Sequence, residues 1–337
     1  MNNKNRVAVL GGGSFGTALC NLVAEKGHQA TLWLRNSERA EEINSEHRNS
    51  YYLPDFELHK NVKATTDLSD AVVTAEVIFV AVPSGSCRSV CEQIKPLIDK
   101  KVIIISTTKG IEHQQFQLMS QVIRETLPLN PLGVLSGPNL AKEIMAKAIT
   151  GTVIASEDEN LVERIQSLLH SEYFRVYASQ DVFGVELGGA LKNIYAIVAG
   201  MGAAMELGAN TKAMIMTRSL AEMSRFAVTM GANPLTFLGL AGVGDLIVTC
   251  SSPLSRNFQV GFAIGGGQTL EQASTDLGQV AEGVNTLKLV KRQADELNVY
   301  MPLVQALSEI LFEGKSVASA VSEIMLNAQS EDVEFSL

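Results

Sequence analysis

The sequence predicts an α/β fold: a mostly parallel sheet domain over residues 1–180, then an all-helical domain over 181–337. Three observations predict it. A Val-rich apolar run, Arg6 to Leu10, breaks into glycines and restarts as a helix. Uninterrupted apolar runs of strand length recur through the first half between helical stretches, as in parallel sheets covered on both faces. After Ser179-Gln180-Asp181, strand signals nearly vanish. A chain of 337 residues also exceeds one comfortable core, which favours two domains.

The first run ends in Gly11-Gly12-Gly13-Ser14-Phe15-Gly16. Gly11, Gly13 and Gly16 hold the G-x-G-x-x-G spacing of a dinucleotide-binding turn, in the strand-to-helix context such a motif requires. Gly11 allows the tight turn, Gly13 lets backbone approach a pyrophosphate, and Gly16 lets the helix pack on the strand. The helix N-terminus then offers unpaired N–H groups and partial positive charge to an anion. This makes the first domain Rossmann-type.

A second strand follows at Ala30–Leu34, and after it stands Arg35-Asn36-Ser37. An acidic residue at this place selects NAD, whereas an arginine suits the 2′-phosphate of NADP. The alternative is an ordinary surface arginine at a strand end. Residues 39–52 are polar and charged, a solvated helix and loop, in which Tyr51-Tyr52-Leu53-Pro54 packs over a cofactor or into the core. Short strands are expected at 61–66, 76–82 and 101–106. In such sheets ligands bind beyond the carboxyl ends of the strands, which draws attention to Lys109 in Thr107-Thr108-Lys109-Gly110. The run 133–139 repeats the design of strand, glycine turn and a proline at a helix start, and Asn139 to Glu143 opens that helix. Strands at 150–156 and 173–177 flank a helix at 158–169.

Residues 182–205 are apolar almost all round, the pattern of a buried helix. Within it sit Glu186, Lys192 and Asn193. Lysine is rarely buried without a partner, so Lys192 is either snorkelling or chemically employed. Desolvation would lower its pKa, and a nearby carboxylate would raise it. Further helices are expected at 211–230, 257–264, 283–297, 301–312 and 316–325. The glycine-rich run 239–246 reads as a flexible turn delivering Asp245. Ser255-Arg256-Asn257 crowds polar donors around a helix start, where a phosphate can be held. Val280-Ala281-Glu282-Gly283 either reaches a ligand or supplies a helix-start carboxylate.

Composition limits the alternatives. The net charge of −9 excludes a surface built for nucleic acid, so an anionic substrate needs a local basic pocket. No uninterrupted apolar segment is expected to span a membrane, the nearest, 190–205, being broken by Lys192 and Asn193. Met1 to Asn5 leads straight into the first strand without a signal-like segment, and Cys20, Cys87, Cys91 and Cys250 read as scattered buried thiols. Cytoplasm is therefore the expected compartment. The five histidines show no metal-ligand spacing, and no metal is expected.

Taken in order along the chain, these motifs resemble the bacterial-type NAD(P)-dependent glycerol-3-phosphate dehydrogenases. The matching pieces are Gly11–Gly16, Val80–Ser84, Ser106–Gly110, Ser136-Gly137-Pro138, Val185–Asn193, Gly239–Asp245 and Ser255–Asn257. The resemblance implies interconversion of dihydroxyacetone phosphate and sn-glycerol 3-phosphate with NADP(H) or NAD(H), in the supply of phospholipid backbones, by a homodimer. By the same resemblance Ser14, Phe15, Arg35, Lys109, Ala141, Arg256, Val280 and Glu282 contact the cofactor. Lys109, Gly137, Asn139, Lys192, Asp245, Ser255, Arg256 and Asn257 line the substrate, with Lys192 as acid/base and Lys109 and Asp245 assisting. Gly12 and Phe15 stand where alanine and tryptophan are common in that family, both keeping the shape needed, and Asn139-Leu140 replaces a hydroxyl residue followed by Phe. Two rivals remain at this stage. A two-domain dehydrogenase of a β-hydroxyacid or of ketopantoate would share the architecture, although the Ser255–Asn257 cluster favours a phosphorylated substrate. A non-catalytic NADP(H) sensor would not need Lys192 and Asp245 together.

Overall fold

Eight strands, among the residues described, form one sheet in the order β3-β2-β1-β4-β5-β6-β7-β8. The computed structural model describes residues 4–112, 116–277 and 281–326. It divides into two units, Met1–Glu186 and Leu187–Leu337. The first unit runs β1 (Arg6–Leu10), α1 (Ser14–Glu25), β2 (Gln29–Trp33), α2 (Ser37–Glu46), β3 (Val62–Thr65), α3 (Leu68–Val72), β4 (Val77–Val80), α4 (Ser84–Ile94), β5 (Ile103–Ser106), α5 (Met119–Thr126), β6 (Leu132–Ser136), α6 (Ala141–Met145), β7 (Thr150–Ala155), α7 (Glu159–Leu169) and β8 (Phe174–Ser179). All neighbouring strands are parallel except β6 and β7.

The central strands are apolar along nearly all their length, Arg6 and Ser106 at strand ends apart, because both faces of the sheet are covered. Val7 and Val9 of β1, Val77 and Phe79 of β4, and Ile103 and Ile105 of β5 enter one core. The alternate residues Ala8, Leu10, Ile78, Val80 and Ile104 enter the other. This is the period-2 geometry of a strand applied to a two-sided burial. Strand order reverses between β1 and β4, and that switch point opens a crevice at the carboxyl ends. The chain's one tryptophan, Trp33, ends β2. Its carbonyl accepts from Gly11 N at 2.9 Å, and its indole N–H donates to Thr66 O at 3.1 Å.

α8 (Val182–Ala204) crosses the boundary between the units, and α9 (Ala209–Thr229), α10 (Asp245–Ser251), α11 (Arg256–Gly265), α12 (Leu270–Leu277), α13 (Glu282–Glu296), α14 (Pro302–Phe312) and α15 (Val317–Leu326) follow it. Several expectations need correction. α8 is 23 residues long and apolar enough to cross a membrane by length and composition, contrary to the reading of an interrupted segment. Most of its apolar window is buried inside the protein, as in the core helix of a globular fold. Residues 239–246 are not a flexible turn: Pro234–Leu238 forms a 3₁₀ turn, Leu240–Gly244 a π turn, and Asp245 is the first residue of α10. Gly242 permits this, since a Cβ there would collide with the Phe237 backbone. Pro138 does not start a helix, because α6 begins at Ala141. α10, which lies in an apolar helical stretch, and α12 are additional to the helices expected from sequence.

Two buried carboxylates act as helix caps from a distance. Glu186 accepts from Ser120 N at 2.9 Å and from the Ser120 hydroxyl, at the start of α5. Burial pushes its pKa up to about 7, against the pull of those donors. In the second unit Glu222 of α9 accepts from Leu303 N at 2.6 Å and Val304 N at 3.3 Å, at the start of α14. The Tyr195 hydroxyl adds a third donor at 3.3 Å. Burial raises the Glu222 carboxyl to about 8, opposed by its backbone donors.

A group whose folded pKa is raised stabilises most below its unfolded value and loses that contribution as pH rises through the folded value. For Glu222 the window runs from its ordinary 4.5 to about 8. Glu222→Gln does not titrate, so the stability of wild type relative to this variant should fall across pH 5–8. The slope should reach at most about 1.4 kcal/mol per pH unit. Urea midpoints of both proteins, followed by far-ultraviolet circular dichroism at each pH, measure it. A gap constant with pH would show that the carboxyl does not titrate in this range.

Candidate active site

At the crevice of the first unit the glycine turn has the geometry its sequence implies. Gly11 has φ +125°, which side chains rarely adopt, and a Cβ there would strike the Ala81 carbonyl. A Cβ on Gly16 would strike Gly11 O, so close helix–strand packing requires a glycine. Gly13 is the N-cap of α1, and a Cβ on it would meet nothing within 4 Å. The first turn of α1 carries no acidic side chain, so its dipole is left for an external anion. Open space before bare N–H groups fits the diphosphate of a dinucleotide. Ser14 and Phe15 form the first turn, Phe15 packing against the core. At Gly12 a Cβ would lie 2.7 Å from Leu34 Cβ, so glycine fits beside Leu34 here and an alanine would require a shift.

Around this turn lie the other residues of the first unit singled out from sequence. Arg35 is exposed directly after β2, and Asn36 caps α2 by accepting from Arg39 N at 2.8 Å. Arg39 stacks over the ring of Tyr51, 3.9 Å from its centroid. The Thr107 and Thr108 hydroxyls donate to Val80 O at 2.9 Å and Val82 O at 2.7 Å, tying the end of β5 to the end of β4. Lys109 follows, half-buried, and its Nζ donates to Gly137 O at 3.0 Å. Gly137 has φ +140°. Asn139 Nδ2 donates to Thr152 Oγ1 at 2.8 Å, while its Oδ1 is buried without a hydrogen-bond partner. Ala141 opens α6. The fold thus draws Lys109, Gly137 and Asn139 together beyond the ends of β5 and β6.

In the second unit Lys192 is 6% exposed and does not snorkel. Its ammonium donates to Asp245 Oδ1 and, at 2.6 Å, to Thr249 Oγ1. Asp245 is fully buried. A buried ammonium needs this pairing, and removing one partner of such a pair costs roughly 3–5 kcal/mol. Thr249 was missed from sequence. It stands one helical turn after Asp245, and the spacing would have revealed it had α10 been read as a helix.

Asn193, next along α8, accepts at Oδ1 from Asn257 Nδ2 at 2.9 Å. Asn257 Oδ1 in turn accepts from Gly283 N at 3.0 Å. Ser255 caps α11, accepting from Phe258 N at 3.3 Å. Ser255 and Asn257 are therefore buried in helix packing, and of the triplet only Arg256 is exposed. Glu282 is the first residue of α13. Val280 lies outside the described residues. Among the described residues no cluster of His, Cys, Asp or Glu is placed to hold a metal ion.

The chain matches two family models, the NAD-dependent glycerol-3-phosphate dehydrogenase N-terminus over residues 6–162 and the C-terminus over 181–322. It is 58% identical over 332 residues to the glycerol-3-phosphate dehydrogenase (NAD(P)+) of Acinetobacter baumannii strain SDF, covering 98% of this chain and 93% of that protein. It is 57% identical over 336 residues to the enzyme of that name from Pseudomonas syringae pv. tomato, covering 99% and 98%. The crystal structure of glycerol-3-phosphate dehydrogenase from Coxiella burnetii superposes with a TM-score of 0.92 at 36% identity, covering 96% of this chain and 99% of that one. Glycine turn, central lysine and matched length agree: the chain belongs to the NAD-dependent glycerol-3-phosphate dehydrogenase family.

Proposed function

We infer that this protein is an NAD(P)H-dependent oxidoreductase that interconverts dihydroxyacetone phosphate and sn-glycerol 3-phosphate, supplying glycerol phosphate for phospholipid synthesis. The observation that carries it is the buried Lys192 ammonium held by Asp245 and Thr249, in a chain whose first unit ends its leading strand in a dinucleotide turn. When bound, the reduced nicotinamide supplies a hydride to the C2 carbonyl carbon of the ketone. Lys192 donates the proton to the oxygen at that carbon, and takes it back when the alcohol is oxidised. Asp245 and Thr249 hold the lysine in place, as the orienting partner does for any acid/base group. Lys109, fixed by Gly137, adds positive charge beside the substrate, and Asn139 offers its unpaired Oδ1 to a hydroxyl.

Arg256 supplies the exposed charge for the substrate phosphate, with the N-terminus of α11 behind it. Ser255 and Asn257 set that helix start. Arg35 reads the 2′-phosphate of NADPH, and for Val280 and Glu282 the cofactor role rests on the family resemblance alone. The family resemblance also implies a homodimer in the cytoplasm. Exposed apolar side chains of the helical unit (Leu238, Ile247 and Phe262) and four free, buried thiols are in keeping with that assignment.

Lys192→Ala should lower kcat by about a hundredfold to ten-thousandfold, the usual worth of a positioned acid/base. Lys192→Arg should not restore it, because arginine does not release its proton. Steady-state rates with dihydroxyacetone phosphate and saturating NADPH, on protein shown to be folded, decide this. Near-normal kcat would remove Lys192 from the chemistry.

Arg35→Asp should weaken NADPH by about tenfold to a hundredfold and NADH far less, since a charge-assisted hydrogen bond is worth roughly 1.5–3 kcal/mol. Equal losses for both cofactors would show that Arg35 does not read the phosphate. Arg256→Ala should raise KM for dihydroxyacetone phosphate, whereas unphosphorylated dihydroxyacetone should be a poor substrate of both proteins. Wild-type reduction of dihydroxyacetone as efficient as of its phosphate would exclude a phosphate site.

A further inference from the structure

The loop after α2 is stitched to the underside of the glycine turn by one buried side chain, Asn49. Its Nδ2 donates to Gly12 O at 3.1 Å and to Thr17 Oγ1 at 2.9 Å. The carbonyl of Gly12 can only accept, so the amide orientation is fixed by chemistry. The rest of the loop holds Asn49 in place. Its backbone O accepts from Tyr52 N at 3.2 Å and Leu53 N at 2.8 Å, closing a turn that drops Leu53 into the core. Ten residues on, His59 N donates to Asn21 Oδ1 at 2.7 Å, on the same helix α1.

The other oxygen of this side chain shows that packing alone does not explain it. Asn49 is fully buried, yet its Oδ1 has no hydrogen-bond partner. An apolar residue of similar size would fill the space and remove the unmatched Oδ1, but it would also take the donor away from Gly12 O. What only an amide supplies here is a donor to the Gly12 carbonyl.

That carbonyl belongs to the peptide joining Gly12 to Gly13. In a trans peptide the C=O and N–H point in opposite directions. No cis peptide occurs among the described residues. Anchoring Gly12 O inward therefore turns Gly13 N–H outward, toward the open space before α1. Gly11 and Gly16 leave little freedom around it, but neither bonds the Gly12 carbonyl.

We propose that Asn49 is a positioning residue for the cofactor: by holding Gly12 O it aims the Gly13 N–H at the dinucleotide diphosphate. It does not touch the cofactor itself. The proposal rests on the cofactor reading above and adds a residue to it from outside the glycine motif. It predicts a defect in cofactor affinity rather than in the chemical step.

NADPH binding is measured directly, by the change in its fluorescence on titration with wild type, Asn49→Ala, Asn49→Asp and Thr17→Val. Asn49→Ala should weaken NADPH by about tenfold, and kcat at saturating NADPH should stay within about twofold of wild type. Asn49→Asp keeps the size, cannot donate at neutral pH and adds charge, so its loss should be larger. It also tests the idea if the alanine variant does not fold. Thr17→Val keeps the bond to Gly12 and should bind within about threefold of wild type. Unchanged NADPH affinity in a folded Asn49 variant would overturn the proposal. So would an equal loss in Thr17→Val, which would place the effect in the loop brace rather than the Gly12 carbonyl. Wild type binding neither NADPH nor NADH would overturn the cofactor reading together with it.

Discussion

A charged amine inside an apolar helix is the constraint on which the second unit is built. Lys192 cannot remain there ionised without a carboxylate within bonding distance, and Asp245 lies 53 residues further along the chain. Bringing Asp245 in requires backbone to approach α8 closely. Gly188 allows it, since a Cβ there would come within 2.9 Å of Ala241 O. Gly242 allows the π turn that sets Asp245 as the first residue of α10, and α10 then presents Thr249 one turn later. The glycines of this region serve packing around one ion pair more than mobility.

The sheet unit was legible because its signals are local. A strand buried on both faces must be apolar throughout, and a phosphate turn must spend glycines at set positions, so β1, β4, β5 and Gly11–Gly16 could be read directly. Lys192 was legible for the opposite reason, as a residue that violates its surroundings. The buried polar partners around these features were not legible because their meaning is tertiary. Thr249 and Asn49 are ordinary polar side chains until the fold brings a lysine or a glycine carbonyl to them. Glycines are also ambiguous in one dimension: residues 239–246 look flexible in sequence but form a π turn and a helix start packed closely against Phe237 and α8. The Ser255–Asn257 triplet showed the same limit, two of its three side chains being taken up by helix packing.

Glu186 and Glu222 show how this fold caps helix starts that their own first residues leave open in whole or in part. Met301, the residue before α14, has no capping group, and at α5 the helix's own Gln121 accepts only from Leu118 N, at 2.8 Å. A carboxyl group from a different helix supplies the remaining acceptors, at the cost of burying a titratable group. Each such cap fastens two helices that are distant in sequence. Helix registry in both units therefore depends on a few buried acids as well as on apolar packing.

The position of Trp33 has an optical consequence. It is the chain's one tryptophan, and it bonds the glycine turn through its carbonyl and Thr66, just after β3, through its indole. The helical unit contains none. Tryptophan emission therefore reports the environment of the sheet alone, while ellipticity is dominated by helices and reports both units. If the units melt at different denaturant concentrations, the two signals will separate. Their divergence measures directly how far the sheet unit and the helical unit share one cooperative transition.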